Sequence, residues 1–137
     1  MKEKYVLEYS EDVVDGESRA VLRFVAAMAP LQVAVLPLMD RSELVRPAEA
    51  LLQAFRKEGI MAEYDTSGSI GRRYRRNDEV GTPFCITIDY ETIEDGTATI
   101  RDRDSMDQVR VPLDKINETI SALVRGDVEF QEAGKPK

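Results

Sequence analysis

The chain has 137 residues, 42% of them apolar and 33% charged, which is the balance of one ordinary globular domain and excludes a disordered, collagen-like or disulfide-stapled chain. At this length folding removes roughly two thirds of the unfolded surface from water, so the core suffices without a disulfide or a structural metal. A net charge of −7 argues against indiscriminate binding to nucleic acid, and the absence of histidine removes the commonest general base and most zinc sites.

The first residues, to about position 19, are dominated by Lys, Glu and Asp and show no strong period, so they read as a polar, partly mobile lead-in. They are too charged for a signal-peptide core, and nowhere does the chain approach the roughly 20 apolar residues that cross a bilayer. Val21 to Phe24 is a short strand candidate. Val33 to Leu36, bounded by Pro37, reads as a strand buried on both faces, as a central parallel strand is. Leu44, Ala48, Leu51, Leu52 and Phe55 recur at helical spacing, with Pro47 placed in the first turn and Gly59 as the stop. Ile60 to Tyr64 then returns as a second strand, and strand, helix, strand implies a parallel crossover unit.

Asp65 to Ser69 supplies turn residues and an N-cap for a helix from Ile70 to Val80, ended by Gly81 and Pro83. Phe84, Ile86 and Ile88 alternate with Cys85, Thr87 and Asp89, and a turn at Glu94-Asp95-Gly96 leads into Thr97 to Arg103, which reads as an antiparallel hairpin. Val109 and Val111 mark a last strand, and Leu113, Ile116, Ile120, Leu123 and Val124 a closing helix that stops at Gly126. The tail from Asp127 has no further period. The order is β, α, β, α, β, β, β, α: an α/β fold with a mixed sheet covered by helices. The lone Cys85 lies in an apolar run as a small packed hydrophobe, which favours a reducing, cytoplasmic setting.

Two segments carry the chemistry. In SGSIGRRYRRNDEVG, Arg72, Arg73, Arg75 and Arg76 fan around a helix beside Tyr74, concentrating positive charge in an acidic protein. Guanidinium groups near a helix start suit phosphate, and an exposed Tyr74 suits base stacking. The competing reading pairs Arg72 and Arg76 with Asp78, Glu79 or other acids and turns Tyr74 into the core. In IRDRDSMDQVR, a strand places Arg101 and Arg103 on one face and Asp102 and Asp104 on the other. Such a face reads phosphates and base edges, or else forms a ladder of ion pairs worth about 0 to 1 kcal/mol each. A phosphate loop is a poor match, because the Gly-Lys-Ser/Thr ending and the Gly-x-Gly-x-x-Gly spacing are both missing. The carboxylates are scattered, and no acid and base couple is placed for catalysis.

These residues carry a family resemblance. VAVLPL (33 to 38) followed by YDTSGSIGRRYRRNDEVGTPFCITIDYETIEDGTATIRDRDSM (64 to 106) resembles the C-terminal anticodon-binding domain of the archaeal and eukaryotic type of glycyl-tRNA synthetase, over about Ala29 to Arg125. The RDRDSM run favours glycine over the histidine, threonine and proline relatives of the domain. The resemblance implies a five-stranded mixed sheet surrounded by three helices, with residues 1–28 a lead-in from the end of the catalytic domain, 29–126 the anticodon-binding domain and 127–137 a tail. It implies that the domain holds glycine tRNA while a separate catalytic domain, using ATP and Mg, attaches glycine. This chain lacks that core and is expected to be inactive and monomeric, the parent enzyme dimeric. Arg72, Arg73, Tyr74, Arg75 and Arg76 become contacts to tRNA or to the catalytic domain, and Arg101, Asp102, Arg103 and Asp104 candidates near the anticodon bases. The alternative is a stand-alone paralogue that docks a protein partner.

Overall fold

The computed structural model describes residues 8–14 and 17–137. Their order is β1 (Glu8–Val14), β2 (Glu17–Arg23), a 3-10 turn at Ala26–Met28, β3 (Val33–Pro37), α1 (Ser42–Lys57), β4 (Ala62–Tyr64), α2 (Ile70–Val80), β5 (Phe84–Ile88), α3 (Tyr90–Asp95), β6 (Thr97–Asp102), β7 (Gln108–Pro112), α4 (Leu113–Arg125), a 3-10 turn at Phe130–Glu132 and β8 (Lys135–Pro136). Strands β3 to β8 form one mixed sheet in the order β4-β3-β5-β6-β7-β8, parallel among β4, β3 and β5 and antiparallel beyond. The expected five strands are all present, and the tail adds a two-residue sixth at the edge.

The sheet has two unlike faces. Val33, Val35, Phe84, Ile86, Ile88, Ala98, Ile100, Val109 and Val111 point to one side, where Leu44, Ala48, Leu51, Leu52 and Phe55 of α1 and Ile116, Ile120 and Leu123 of α4 complete the main core. On the other side Ala34, Leu36 and Cys85 meet Ile70 and Tyr74 of α2, a much smaller apolar patch. Every residue of β3 and β5 is buried, because helices cover both of their faces. Beyond β5 the second face turns polar: the residues alternating with Ala98 and Ile100 are Thr97, Thr99 and Arg101, and those alternating with Val109 and Val111 are Gln108 and Arg110.

The structure departs from the sequence expectations at four places. The lead-in is not devoid of structure: β1 and β2 pair as an antiparallel hairpin, Tyr9 opposite Leu22 and Val13 opposite Ser18. Its strand period is hidden because Tyr9 and Val13 are exposed while Arg19 is buried; Val21 is fully buried, on the strand that packs against α2. The rest of the lead-in, residues 1–7 and 15–16, lies outside the described residues. Pro47 sits inside α1, which starts at Ser42, and not in its first turn. The connection from β5 to β6 is a short helix, α3, with a capping box between Asp89 and Thr92, which brings the helices from three to four. Those strands do pair antiparallel as expected, but six residues are too few for a helical period to show. Finally, the strand expected to reach Arg103 ends at Asp102.

Candidate nucleic-acid interface

Helix α2 begins at Ser69, whose hydroxyl accepts from the backbone N–H of Arg72, and ends at Gly81 in the left-handed region, φ 86°. A side chain at Gly81 would put its Cβ 2.4 Å from Cδ2 of Phe24, so both the angle and the space demand glycine. With both ends set, the direction of each arginine along the helix is set as well.

The four arginines divide by role. Arg73 is buried, and its guanidinium donates to the carbonyls of Pro37 (2.7 Å), Asp65 (2.9 Å) and Leu38 (3.1 Å). It ties α2 to the end of β3, and burial lowers its pKa from the ordinary arginine value. Arg76 is 46% exposed and donates to Asp65 Oδ2 at 2.7 Å and to the Ser67 carbonyl. Burial acts to raise the pKa of Asp65, but the hydrogen bonds from Arg76 and from the Ser67 N–H outweigh it and hold the carboxyl below its usual value. Arg72 is exposed and Arg75 half-buried, and both line an open groove of about 420 Å³ with Ser69, Tyr74, Arg101 and Gln108. Tyr74 is packed against the small apolar patch; its hydroxyl meets Thr87 Oγ1 at 2.7 Å, and burial raises its pKa.

The second segment is more deeply enclosed than an open sheet face would be. Arg101 is buried and lies over the Tyr74 ring, 4.6 Å from its centroid. It donates to both oxygens of Asp78, at 2.9 and 3.1 Å. Burial works against its charge, yet the Asp78 hydrogen bond and charge prevail and raise its pKa. Asp78, fully buried, also accepts from Arg19 of β2 at 2.9 Å, so one carboxylate joins hairpin, helix and sheet. Arg103 is buried too, donating to the carbonyls of Gly81 (2.9 Å) and Phe24 (2.8 Å) and pairing with Asp104 at 2.9 Å. Burial pushes the Asp104 carboxyl up, but Arg103 and Arg23 hold it below the usual carboxylate range. Asp102 accepts from the N–H and hydroxyl of Ser105 and closes the β6 to β7 turn, where Met106 adopts φ 65°.

Of the residues singled out from sequence, Arg72, Tyr74, Arg75 and Arg101 therefore meet at one groove. Arg73 and Arg103 are spent on backbone carbonyls, at the start and at the Gly81 end of α2, Arg76 pairs with Asp65 beside a separate pocket, and Asp102 and Asp104 shape the β6 to β7 turn. Asp78 pairs with Arg101 and Arg19, not with Arg72 or Arg76. Sequence reasoning misses Gln108, because a lone glutamine carries no local signal; only its cross-strand position opposite Arg101 brings it into the groove. It misses Arg110 for the same reason. Arg110 donates to the Thr97 and Thr99 hydroxyls, each at 2.9 Å, and pairs with Asp89 at 3.2 Å and Glu91 at 2.9 Å. Burial acts to raise the Asp89 pKa, and the Arg110 hydrogen bond and charge outweigh it, leaving that carboxyl lowered.

A helix start and a cluster of guanidinium groups beside a polar sheet face make a groove whose chemistry suits anions. The sequence profile of the "Anticodon binding domain" matches residues 32–123, and the chain belongs to that family. Its curated relatives narrow the picture. Over 133 residues it is 56% identical to the glycine–tRNA ligase of Methanothrix thermoacetophila, and over 132 residues 50% identical to that of Archaeoglobus fulgidus. The first match covers 96% of this chain and 23% of the relative, the second 95% and 23%, so the chain spans about a quarter of the length of these ligases. Among solved structures, prolyl-tRNA synthetase of Cryptosporidium parvum superposes with a TM-score of 0.71 at 20% identity, covering 77% of this chain and 22% of that one, which shows the shared fold. Among the described residues no helix is long and apolar enough to cross a membrane.

Proposed function

We propose that this domain grips the anticodon stem and loop of glycine tRNA at the groove between α2 and the polar end of the sheet, so that a catalytic domain can attach glycine to the distant 3′ end. The observation that carries the reading is the convergence of Arg72, Arg75 and Arg101 on one groove in a chain of net charge −7. Concentrated positive charge on an otherwise acidic surface attracts phosphate locally and repels it elsewhere, which favours one orientation of the RNA. Arg72 and Arg75, with their ends in or near solvent, are the phosphate contacts, and Arg76 supports them. Arg101, Asp102, Arg103 and Asp104 lie at the base-facing end, with Arg101 reaching the groove directly and the other three fixing the turn beside it.

Glycine as the amino acid rests on the ligase relatives, at 56% and 50% identity. ATP and Mg would then serve the catalytic domain, where the chemistry of activation takes place, and the working protein would be a cytoplasmic ligase that dimerises through its catalytic part. Within the sequence, residues 29–126 form the binding domain, 1–28 its lead-in and 127–137 its tail.

The test is binding of labelled glycine tRNA against a noncognate tRNA at low and moderate salt, using the unmutated chain and the double variant R72A/R75A. Arg73 is left intact, because removing it would strike the fold itself. The expected result is preference for glycine tRNA, weaker at higher salt, with the salt slope reduced by about 0.9 for each phosphate that the variant no longer neutralises. Equal binding of both chains to both RNAs refutes the reading.

A further inference from the structure

Arg19 stands between Ser18 and Ala20 in a strand of the polar lead-in, where local sequence predicts a solvated side chain, yet it is 1% exposed. A guanidinium taken out of water must find acceptors. Its Nη1 donates to Oδ2 of Asp78 and to the Arg103 carbonyl, each at 2.9 Å. The hairpin that carries it forms a two-stranded sheet of its own, apart from the six-stranded one, and none of its described residues lines the cationic groove.

Arg19 is nevertheless two contacts away from that groove. Asp78 accepts from Arg101 on both oxygens, Oδ1 from Nη1 at 2.9 Å and Oδ2 from Nη2 at 3.1 Å, and Arg101 lies over the Tyr74 ring on the groove wall. A fork of this kind aligns the guanidinium plane with the carboxylate plane, so whatever turns the carboxylate turns Arg101. The carboxylate hangs on a soft torsion, because the terminal sp³–sp² bond of aspartate has broad wells. Among the described residues, the side chains bonded to Asp78 are those of Arg101 and Arg19, so Arg19 fixes that torsion independently of Arg101. Arg19 is itself held by the carbonyl of Arg103, two residues beyond Arg101 along the chain, and the contacts close into a ring. We infer that Arg19 is a positioning residue for RNA binding: it touches no RNA, and by fixing the Asp78 carboxylate it aims the Arg101 guanidinium at the groove. The hairpin is thereby part of the binding device although it stands outside the groove. The inference rests on the RNA-binding reading above.

The experiment has one part without RNA and one with it. In the isotope-labelled free chain, the Nε–H signal of Arg101 reports its seat over the Tyr74 ring. R19M should move and broaden that signal, R19K should leave it near its unmutated position, and the Arg72 and Arg75 signals should stay in both. With labelled glycine tRNA at low salt, and each variant first shown to be folded by circular dichroism, R19M should weaken binding about tenfold and R19K much less. On an R101M background R19M should weaken it no further, whereas on an R72A background it should exert its full factor, because it acts through Arg101. R19Q, which keeps a donor without the charge, replaces R19M in this cycle if R19M does not fold. An equal factor on both backgrounds shows that Arg19 serves stability alone and refutes the inference. So does an Arg101 signal that R19M leaves in place. Unmutated affinity in R19M, beside lost binding in R72A/R75A, refutes it too and leaves the groove standing. If the unmutated chain binds no RNA, the RNA-binding reading falls and the inference falls with it.

Discussion

Replacing Asp78 by Asn tests the junction on which the groove depends. Both carboxylate oxygens are occupied, Oδ1 by Arg101 at 2.9 Å and Oδ2 by Arg101 at 3.1 Å and Arg19 at 2.9 Å, and none of the three side chains is more than 5% exposed. Asparagine keeps the shape but removes the negative charge and swaps an acceptor for a donor that points at a guanidinium. Breaking a buried ion pair in this way costs about 3 to 5 kcal/mol, against a total stability of about 5 to 15 kcal/mol for a single domain. For a domain of this size each kcal/mol lowers Tm by roughly 3 to 5 °C, so D78N should melt about 9 to 25 °C below the unmutated chain. Thermal denaturation by circular dichroism measures this, with E79Q, an exposed neighbour on the same helix, as the control that should stay within about 0.5 kcal/mol. Because Asp78 and Arg101 share one interaction, D78N/R101M should cost less than the sum of its parts. A shift of less than about 3 °C in D78N would show that the junction does not hold hairpin, helix and sheet together.

The same geometry bears on a glycine, on the acid limb of stability and on the buried thiol. Ala at Gly81 forces a side chain into φ 86° and against Phe24, and should destabilise by about 1 to 3 kcal/mol by urea titration, whereas Ala at Gly71, with open space around it, should not. The carboxyls of Asp65, Asp89 and Asp104 are lowered in the folded state. Their contribution is therefore complete above the ordinary carboxylate value of about 4 and is lost as pH falls through the folded values, so urea midpoints should drop below about pH 4. R110M removes the Asp89 share and should flatten that acid limb. Burial pushes the Cys85 thiol up to about 12, so at neutral pH a thiol reagent should label it only as fast as the domain opens, and labelling of the folded chain within seconds would refute its burial.

Hydrophobic period exposes most of this fold in the sequence. α1 and α4 bury an apolar face at helical spacing and β3 and β5 are short apolar runs, so each shows locally; α2, which buries Arg73, Asn77 and Asp78, shows through its ends, Ser69 and Gly81. The hairpin β1–β2 and the helix α3 do not, the first because Tyr9 and Val13 face outward while Arg19 is buried, which breaks the polar-out, apolar-in alternation, and the second because six residues span less than two turns. The groove is legible only as a cluster of arginines. Sequence marks a guanidinium as cationic, but whether it faces water or a buried carbonyl depends on residues far away in the chain.

What the sequence determined by itself is the kind of domain: one α/β unit with four of its 19 basic residues gathered in a single short helix, since periodicity and composition are local properties. What only the tertiary structure decided is the division of labour among the arginines. Arg73 donates to carbonyls 35 and 36 positions away, Arg101 to a carboxylate 23 positions away, and Arg103 to a carbonyl 79 positions away, whereas Arg72 and Arg75 line the open groove. A buried guanidinium must find acceptors wherever the fold brings them, and no spacing along the chain records where that will be.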